Sequence, residues 1–244
     1  MVQVLNAPPK PFAWSFSAVD NFQTCPRKYY HQNILKDVSD DTSYRAEGGK
    51  LHDIMRDAVR GVAALPPHLK HWQRWVDELH HDKVHVTAEH KLAFTDRGEP
   101  CYYFAKRDMP AQPWCRTNLD VLKLYPHHAL VWDWKTGKVK PVDDQLMLYA
   151  LTLFIHYDTV EYVDAGLIFL KEDTGPHIPR NDCTYELRIT RPDARLWWGK
   201  YMPKVRALEH AVRTNEWQPV SSGLCKNWCP VVSCEFNGHY GSKS

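Results

Sequence analysis

Apolar side chains in the first third of the chain recur every three or four positions, the spacing that places them on one face of a helix. Ser15 or Ser17 can cap the first helix, and Pro26 interrupts it because proline has no amide hydrogen to donate. Residues 15–82 are therefore predicted to form a helical elaboration in front of the core. The helical segments that this spacing predicts are 15–31, 48–64 and 68–82.

Short apolar runs bounded by turn residues replace the helical spacing from residue 83 onward, and such runs are typical of strands. Strands that alternate with helices predict an α/β core over residues 83–190, followed by a last helix and a tail over 191–244, all in a single domain. The predicted strands are Val84–Phe94, Cys101–Ala105, 116–124, 129–135, Glu161–Leu170 and Thr184–Ile189, and the predicted helices are Val142–Tyr157 and Pro192–Asn215.

Composition narrows the class of protein. With 43% hydrophobic and 25% charged residues in 244, the chain has the balance of an ordinary soluble globular protein. A net charge of +2 excludes a strongly basic surface overall, but it does not exclude a local basic patch that binds DNA. No apolar run approaches the roughly 20 residues of a membrane span, and no export signal is apparent. A cytoplasmic location without membrane contact is the expectation.

Two carboxylates and a lysine stand together in the middle of the chain. Asp120 lies thirteen positions before Asp133-Trp134-Lys135. Residues 133 and 135 share one face of a strand because strand side chains alternate, and Asp120 on a paired strand can reach that face. Carboxylate oxygens are the ligands that Mg²⁺ and Mn²⁺ prefer, and such a metal beside a lysine can support phosphodiester cleavage. The tripeptide alone would more often be an ordinary strand end.

Polar residues on two helices add to this group. Gln145 and Tyr149 are four positions apart, so they share one face of the helix that follows the strand. Upstream, Gly48-Gly49 is expected to open a helix with His52 in its first turn, and a neutral imidazole is a plausible metal ligand. By itself His52 would be an ordinary half-buried helix residue.

The cysteines form a second group. An odd count of seven, in a chain with no export signal, argues against a disulfide framework. Cys225, Cys229 and Cys234 lie within ten positions and are typical of ligands for an iron–sulfur cluster or for zinc, either of which needs a fourth ligand.

The ordered set of motifs resembles the RecB-like branch of the PD-(D/E)XK nucleases and, within it, the CRISPR-associated and phage exonucleases that hold an iron–sulfur cluster. The similarity runs from about Ser15 to Cys234. The residues that carry it are Ser15-Phe16-Ser17-Ala18-Val19, Phe22, Cys25-Pro26-Arg27-Lys28-Tyr29-Tyr30, Gly49, His52, Glu89, Asp120, Asp133-Trp134-Lys135-Thr136-Gly137, Gln145, Tyr149 and the C-terminal cysteines.

This resemblance implies a restriction-endonuclease-like mixed sheet flanked by helices and assigns a role to each matching residue. Lys135 would be the catalytic lysine, and Glu89 matches an acid on the first core strand. The implied ligands of Mg²⁺ or Mn²⁺ are His52, Asp120, Asp133 and the Trp134 backbone carbonyl, supported by Gln145 and Tyr149. Asp133 stands where exonuclease relatives often have Glu, an accepted variant.

The resemblance also implies a 4Fe-4S cluster, with Cys25 completing the set of Cys225, Cys229 and Cys234. The spacing x3 then x4 departs from the family's common x2 then x5, although the span from first to third cysteine is unchanged. Zinc remains the alternative. The expected activity is that of a metal-dependent DNA exonuclease acting on single-stranded ends in phage or mobile-element DNA metabolism. The alternative is a non-catalytic DNA-binding or recombination accessory module.

Basic and aromatic residues near the N-terminus complete the expectation of a DNA partner. Arg27, Lys28, Tyr29 and Tyr30 combine cations with rings, the mixture that binds single strands, and Lys138 is a similar candidate. The alternative is that this helix packs its tyrosines into the core and leaves its basic residues in water.

Overall fold

A mixed six-stranded sheet forms the centre of the fold in a computed structural model, which describes residues 12–39, 42–104, 109–137, 142–170 and 184–240. The strand order is β2-β1-β3-β4-β5-β6, and β4 and β5 are parallel while the other neighbouring strands are antiparallel. The α/β class predicted from sequence is confirmed. The strands are β1 Val86–Phe94, β2 Pro100–Cys101, β3 Cys115–Leu124, β4 His128–Lys135, β5 Tyr162–Phe169 and β6 Thr184–Thr190.

Six α-helices accompany the sheet in the described ranges. Ser15 caps the first by accepting a hydrogen bond from the Ala18 amide at 3.4 Å, and Pro26 opens the second, so the predicted interruption is confirmed. A π-helical turn, Tyr30–Leu35, continues the second helix. The helices are α1 Phe16–Thr24, α2 Pro26–Tyr29, α3 Thr42–Val59, α4 Gln73–Leu79, α5 Asp143–His156 and α6 Arg191–Thr214, with 3-10 turns at Pro67–Trp72 and Gly223–Cys225.

The beginning of α3 differs from the prediction. The glycine pair does not open this helix, which starts at Thr42, so His52 lies in its interior rather than its first turn. Packing explains Gly48, because a Cβ added there would stand 3.1 Å from Thr136 Oγ1, just after β4. Missing side-chain volume at Gly48 therefore lets α3 approach the end of β4, and this contact outweighs the low helix propensity of glycine.

Helices α4 and α5 lie on opposite sides of β4. Trp134 is buried and meets Trp75 of α4 in a T-shaped contact with ring centroids 4.8 Å apart. Its neighbour Asp133 points to the other face, as alternation requires, and hydrogen-bonds to α5. The fully buried residues of α5 that pack on the sheet include Leu146, Ala150 and Leu153. One strand thus carries both an aromatic core contact and a polar site.

Two other contacts attach the ends of elements to the sheet. The Trp14 amide donates to the Trp114 carbonyl at 3.0 Å, and the Arg116 amide donates to the Trp14 carbonyl at 2.9 Å, which joins the N-terminal segment to β3. Arg191, at the start of α6, donates to four backbone carbonyls at the end of α5 and just after it. Within the described ranges, no helix has the length and apolar character needed to cross a membrane.

The edge strand β2 is shorter than expected. The prediction extended from Cys101 to Ala105, but the ladder with β1 contains only Pro100 and Cys101, and Ala105 lies outside the described residues. Two residues after the turn at Gly98 suffice to close the hairpin, and the chain then leaves the sheet as an aromatic loop.

Candidate active site

Three acidic residues stand at one level across three neighbouring strands. Val121 of β3 pairs with Trp132 of β4, so continuing that antiparallel register by one position sets Asp120 opposite Asp133. On the other side, β3 pairs with β1 on both sides of Glu89, which sets Glu89 opposite Asp120. We call Glu89, Asp120 and Asp133 the acid row. Strand pairing alone therefore brings together acids from positions 44 residues apart.

Asp133 is held by a compact hydrogen-bond network with α5. Its Oδ1 accepts from Tyr149 Oη at 2.6 Å and from Gln145 Nε2 at 3.0 Å, and Gln145 Nε2 is also 2.6 Å from Tyr149 Oη. Lys135 Nζ donates to Gln145 Oε1 at 2.7 Å. The i, i+4 spacing of Gln145 and Tyr149 aims both side chains at one carboxylate. Four of the residues predicted from sequence are thus joined in a single network.

An ion pair completes this network. Lys135 Nζ lies 2.5 Å from Asp133 Oδ2, although this oxygen accepts no hydrogen bond of good geometry within the described part of the chain. Asp133 is 4% exposed, whereas the Lys135 side chain is 26% exposed, so the carboxylate is buried and the lysine is partly accessible. A buried carboxylate oxygen without a directed donor retains lone pairs for a cation.

Asp120 is held by backbone and by α3. Its Oδ2 accepts from the Trp134 amide at 2.9 Å and lies 3.3 Å from His52 Nδ1. Burial and the nearby charge of Asp133 raise the pKa of Asp120, and the contact with His52 opposes this shift. Burial lowers the pKa of His52, but the hydrogen bond and charge of Asp120 outweigh it and leave that pKa raised. The site concentrates negative charge in a poorly solvated place, the condition that favours a bound cation.

Tyr149 serves as a donor in this site. Burial and the charge of Asp133 raise its pKa well above the ordinary value, so its hydroxyl stays protonated and donates to Asp133. The 3.0 Å bond from Gln145 leaves Asp133 Oδ1 with two donors, and Oδ2 faces the lysine. The carboxylate is thereby fixed in orientation by groups that do not titrate near neutral pH.

Glu89 adopts an unusual backbone conformation. Its φ of 58° lies in the left-handed region, which is uncommon for a residue other than glycine. Its carboxylate accepts a hydrogen bond from the Asn118 side-chain amide. Sequence reasoning missed Asn118, although its position two residues before Asp120 on a strand was the available signal.

The donor set fits a hard divalent cation in chemical type, with two carboxylates and an imidazole converging on one strand end. Among the residues that the structure describes, however, no group of three or more His, Cys, Asp or Glu side chains has the arrangement of a metal site. The assignment of His52, Asp120, Asp133 and the Trp134 carbonyl as ligands therefore stays a prediction.

Two of the four predicted cluster cysteines, Cys25 and Cys225, lie where the tail returns to the start of α2, although no three cysteines of the described part of the chain are grouped as metal ligands. The Val220 amide donates to Cys25 Sγ at 3.5 Å, and Cys225 Sγ donates to the Val220 carbonyl at 3.7 Å. Asn237 is buried; its side chain donates to the Cys229 carbonyl at 2.8 Å, and its amide donates to the Cys234 carbonyl at 2.9 Å. The Cys25 segment and the tail thus meet at Val220, and these thiols form no disulfide within the described residues. Four soft donors fit an iron–sulfur cluster or zinc in type, and cluster binding stays a prediction.

The basic and aromatic segment of α2 makes internal contacts. Arg27 Nε donates to the Trp217 carbonyl at 2.9 Å. The Tyr30 and Tyr29 rings stack on Trp217 with centroids 5.1 and 5.8 Å apart, and Tyr29 is 6% exposed. The structure thus gives these residues the packing role that was the alternative in sequence. DNA binding by Arg27, Lys28, Tyr29 and Tyr30 stays a prediction, and Lys138 lies outside the described residues.

Comparison with known proteins agrees with this geometry. The PD-(D/E)XK nuclease superfamily matches residues 13–234, and the chain belongs to that superfamily. The restriction-endonuclease-like architecture expected from sequence is therefore confirmed, and so is membership of the superfamily, whereas the RecB-like branch stays a prediction. A solved structure titled "Crystal structure of SSO0001" has a TM-score of 0.45 and 14% identity, covering 96% of this chain and 91% of that one. No curated protein matches the chain.

Proposed function

We propose that this protein is a metal-dependent DNA exonuclease that hydrolyses phosphodiester bonds at single-stranded ends. One observation carries the hydrolytic part: the Lys135 ammonium lies 2.5 Å from Asp133, in a network that also fixes Gln145 and Tyr149. A partly accessible lysine against a buried carboxylate, with Asp120 across the ladder, suits a phosphodiester and an attacking water. The preference for ends and single strands rests on the resemblance stated above.

The proposed cation is Mg²⁺ or Mn²⁺, which superfamily members typically use. When bound, it polarises the scissile phosphate and offsets the charge that develops on the leaving oxygen. Asp120 and Asp133 would hold it through their carboxylates, with His52 and the Trp134 carbonyl completing the set. Glu89 faces this group across the ladder and would orient water through its carboxylate.

The side chains around the acids divide the remaining work. Lys135 orients the attacking water and stabilises the extra negative charge of the pentacoordinate phosphate. Gln145 positions Lys135 by accepting from Nζ, and Tyr149 holds the Asp133 carboxylate through its hydroxyl. The sheet and α5 supply these groups from rigid elements, so little reorganisation accompanies catalysis.

The cysteine set is proposed to hold a 4Fe-4S cluster that connects the two ends of the chain, with zinc as the alternative. Cys25 and Cys225 both contact Val220, which supports their common use. Such a centre stabilises the fold because its ligands lie 200 positions apart in sequence, from Cys25 to Cys225. The visible spectrum of anaerobically purified protein and its iron and zinc content discriminate the two metals.

A cytoplasmic role in phage or mobile-element DNA recombination, replication or repair is the proposed setting. Its support is the resemblance to CRISPR-associated and phage exonucleases. The alternative is a non-catalytic DNA-binding accessory module, and none of the contacts described for the site favours it. Retained DNA binding without hydrolysis in any divalent metal would select it.

The decisive experiment uses single-stranded oligonucleotides labelled at the 5′ or the 3′ end, with Mg²⁺ or Mn²⁺. Lys135→Ala is expected to lower kcat/KM by about 10²–10³-fold, the usual effect of removing one group that stabilises a transition state. Asp133→Asn is expected to abolish measurable cleavage. Asp164→Asn is the matched control, because Asp164 lies on the neighbouring strand and pairs with Arg188 outside the site. Unchanged activity in Lys135→Ala would refute the assigned site.

A further inference from the structure

Aromatic and cationic side chains gather beside β1 and β3 on the surface of the sheet. The Tyr103 and Phe104 rings meet in a T-shaped contact with centroids 4.7 Å apart. Lys91 Nζ lies 5.1 Å from the Phe104 centroid, and the Arg116 guanidinium carbon lies 5.6 Å from the Tyr103 centroid. We call these four residues, together with Tyr102, which precedes Tyr103 in the sequence, the aromatic–basic cluster.

Two rings of this cluster face solvent. Tyr102 is 77% exposed and Phe104 is 72% exposed. A large ring gains about 1.5–3 kcal/mol from burial, so two neighbouring rings left in water indicate a surface that meets a ligand. A ligand that binds these two rings must have flat apolar faces that can stack on them.

The cations of the cluster have unused donors. Arg116 Nε is buried and has no hydrogen-bond partner within the described part of the chain, and the same holds for Asn118 Oδ1 two residues further along β3. Neither Lys91 nor Arg116 forms an ion pair with another described residue. Buried unpaired donors are rare in native proteins and indicate a missing partner, for which a cationic donor requires an anion.

The cluster lies along the strand from the acid row. Arg116 precedes Asp120 by four residues on β3, a separation of about 13 Å at the rise of a strand. Lys91 pairs with Asn118 across the ladder, and Asn118 hydrogen-bonds to Glu89 of the acid row. A nucleic-acid strand that has one phosphate at Asp120 and Asp133 can therefore contact the cluster with a nucleotide a few positions further along.

We propose that the aromatic–basic cluster is a second binding site for the nucleic-acid strand, in which Lys91 and Arg116 contact phosphates and Tyr102 and Phe104 stack on unpaired bases. The strand's identity as substrate rests on the proposed nuclease function. Rings beside cations are the mixture that binds single strands without regard to sequence. Bases of a duplex are stacked on one another, so their faces are closed to these rings and the site selects single strands.

Binding is tested without catalysis by fluorescence anisotropy of a labelled oligothymidylate in EDTA. Phe104→Ala is expected to weaken binding about tenfold, the usual effect of losing one stacking platform. Lys91→Ala is expected to reduce the slope of log K against log salt by about 0.7, the value for one phosphate contact of a single strand. The matched controls, Trp228→Ala with its 76% exposed ring and Lys70→Ala, are expected to bind like wild type.

Hydrolysis separates this proposal from the proposed function. Bis(p-nitrophenyl) phosphate has no neighbouring nucleotides that could stack on Phe104, so Phe104→Ala is expected to hydrolyse it at the wild-type rate while kcat/KM for oligonucleotides falls about tenfold. Binding by Phe104→Ala and Lys91→Ala equal to that of the controls would overturn the second site. If wild type hydrolyses neither substrate, the nuclease proposal fails, and the anisotropy result alone decides the site. Thermal melting shows whether each variant is folded.

Discussion

The acid row and the cysteine tail (residues 216–240) differ in how the fold holds them. Every acid-row residue lies on a strand, and α5 supplies two donors to Asp133. The tail has one 3-10 turn and a series of backbone turns, and it exposes six large apolar side chains. The sheet therefore organises one predicted metal site, whereas little regular structure supports the other, and we expect a bound metal to stabilise that second region. The exposed residues are Val220, Leu224, Trp228, Val232, Phe236 and Tyr240.

The largest expected difference between the two regions is measured by replacing one key residue in each and comparing the effects of the two replacements. Lys135→Ala removes the ammonium that pairs with Asp133 and is expected to abolish most cleavage while leaving the metal content of the tail unchanged. Cys225→Ser is expected to release the bound metal and to lower the melting temperature by about 10 °C, because a ligand at a thousandfold its dissociation constant contributes about 4 kcal/mol. Metal analysis and thermal melting measure the second effect. Equal melting of Cys225→Ser and wild type would contradict dependence of the tail on a metal.

A glycine tests the packing of the tail itself. A Cβ added to Gly238 would lie 2.4 Å from the Lys226 carbonyl oxygen, which is backbone and cannot move aside cheaply. Gly238→Ala is expected to cost about 1–3 kcal/mol and to lower the melting temperature by about 3–10 °C. Its control is Gly199→Ala on α6, where a Cβ meets open space and helix propensity favours alanine. A melting temperature for Gly238→Ala at or above that of wild type would show that the two backbones do not approach so closely.

Tyr149→Phe tests how much of the rigid site depends on one hydroxyl. The change leaves Gln145 as the donor to Asp133 Oδ1. We expect a loss of about 1–2 kcal/mol in the free energy of unfolding and a decrease in kcat of up to about tenfold. Urea denaturation and the oligonucleotide assay measure the two. A decrease as large as that of Lys135→Ala would instead place the tyrosine among the groups that contact the reacting atoms.

The smallest expected effect is on stability and comes from a second lysine–aspartate pair, Lys123 and Asp82. Lys123 Nζ lies 2.5 Å from Asp82, the distance of the Lys135 pair, but it also donates to the Leu79 carbonyl at the end of α4. Hydrogen bonds from Lys123 and Tyr125 lower the pKa of Asp82 to about 2. A lowered folded-state pKa stabilises the protein above pH 4, and this contribution is lost as pH falls from about 4 to about 2.

Asp82→Asn should therefore reduce stability at neutral pH by an amount that shrinks as the pH falls through that window. Urea denaturation of the variant and wild type at pH 6, 4 and 3 provides the measurement, and cleavage by the two proteins should be equal. A stability difference that is constant across the range would show that the Asp82 charge is not the source. The expected result would instead make the Lys123–Asp82 pair structural, whereas the Lys135–Asp133 pair is proposed to be catalytic.

A short apolar run made β4 predictable and a longer apolar segment made α5 predictable, because both segments are buried in the tertiary packing as their patterns indicate. Local pattern was misleading at α3, where Gly48 marks a close approach to Thr136 rather than a helix start. The left-handed φ of Glu89 has no local signal, because the surrounding strand pattern predicts extended backbone at this position. In the site, Asp120, Asp133, Lys135, Gln145 and Tyr149 follow from spacing on one strand pair and one helix turn.

Distant partners were beyond sequence reasoning. The aromatic residues of α2 appeared suited to DNA, but Trp217 stacks on Tyr30 from 187 positions away, and no periodicity links two such positions. Asn118 differs from them, because its place two residues before Asp120 on the same strand was a local signal, although its partner Glu89 lies on another strand. Contacts of this kind depend on which elements the whole chain brings together.

The contact between Arg27 and the Trp217 carbonyl has a consequence for synthesis of the protein. Its two residues are 190 positions apart, so the platform of Phe22, Tyr29 and Tyr30 has no cover until the ribosome has released nearly the entire chain. At about 5–20 residues per second, that wait lasts roughly ten seconds or longer. Chains that terminate before residue 217 would carry an uncovered aromatic surface, and we expect them to aggregate or to be degraded.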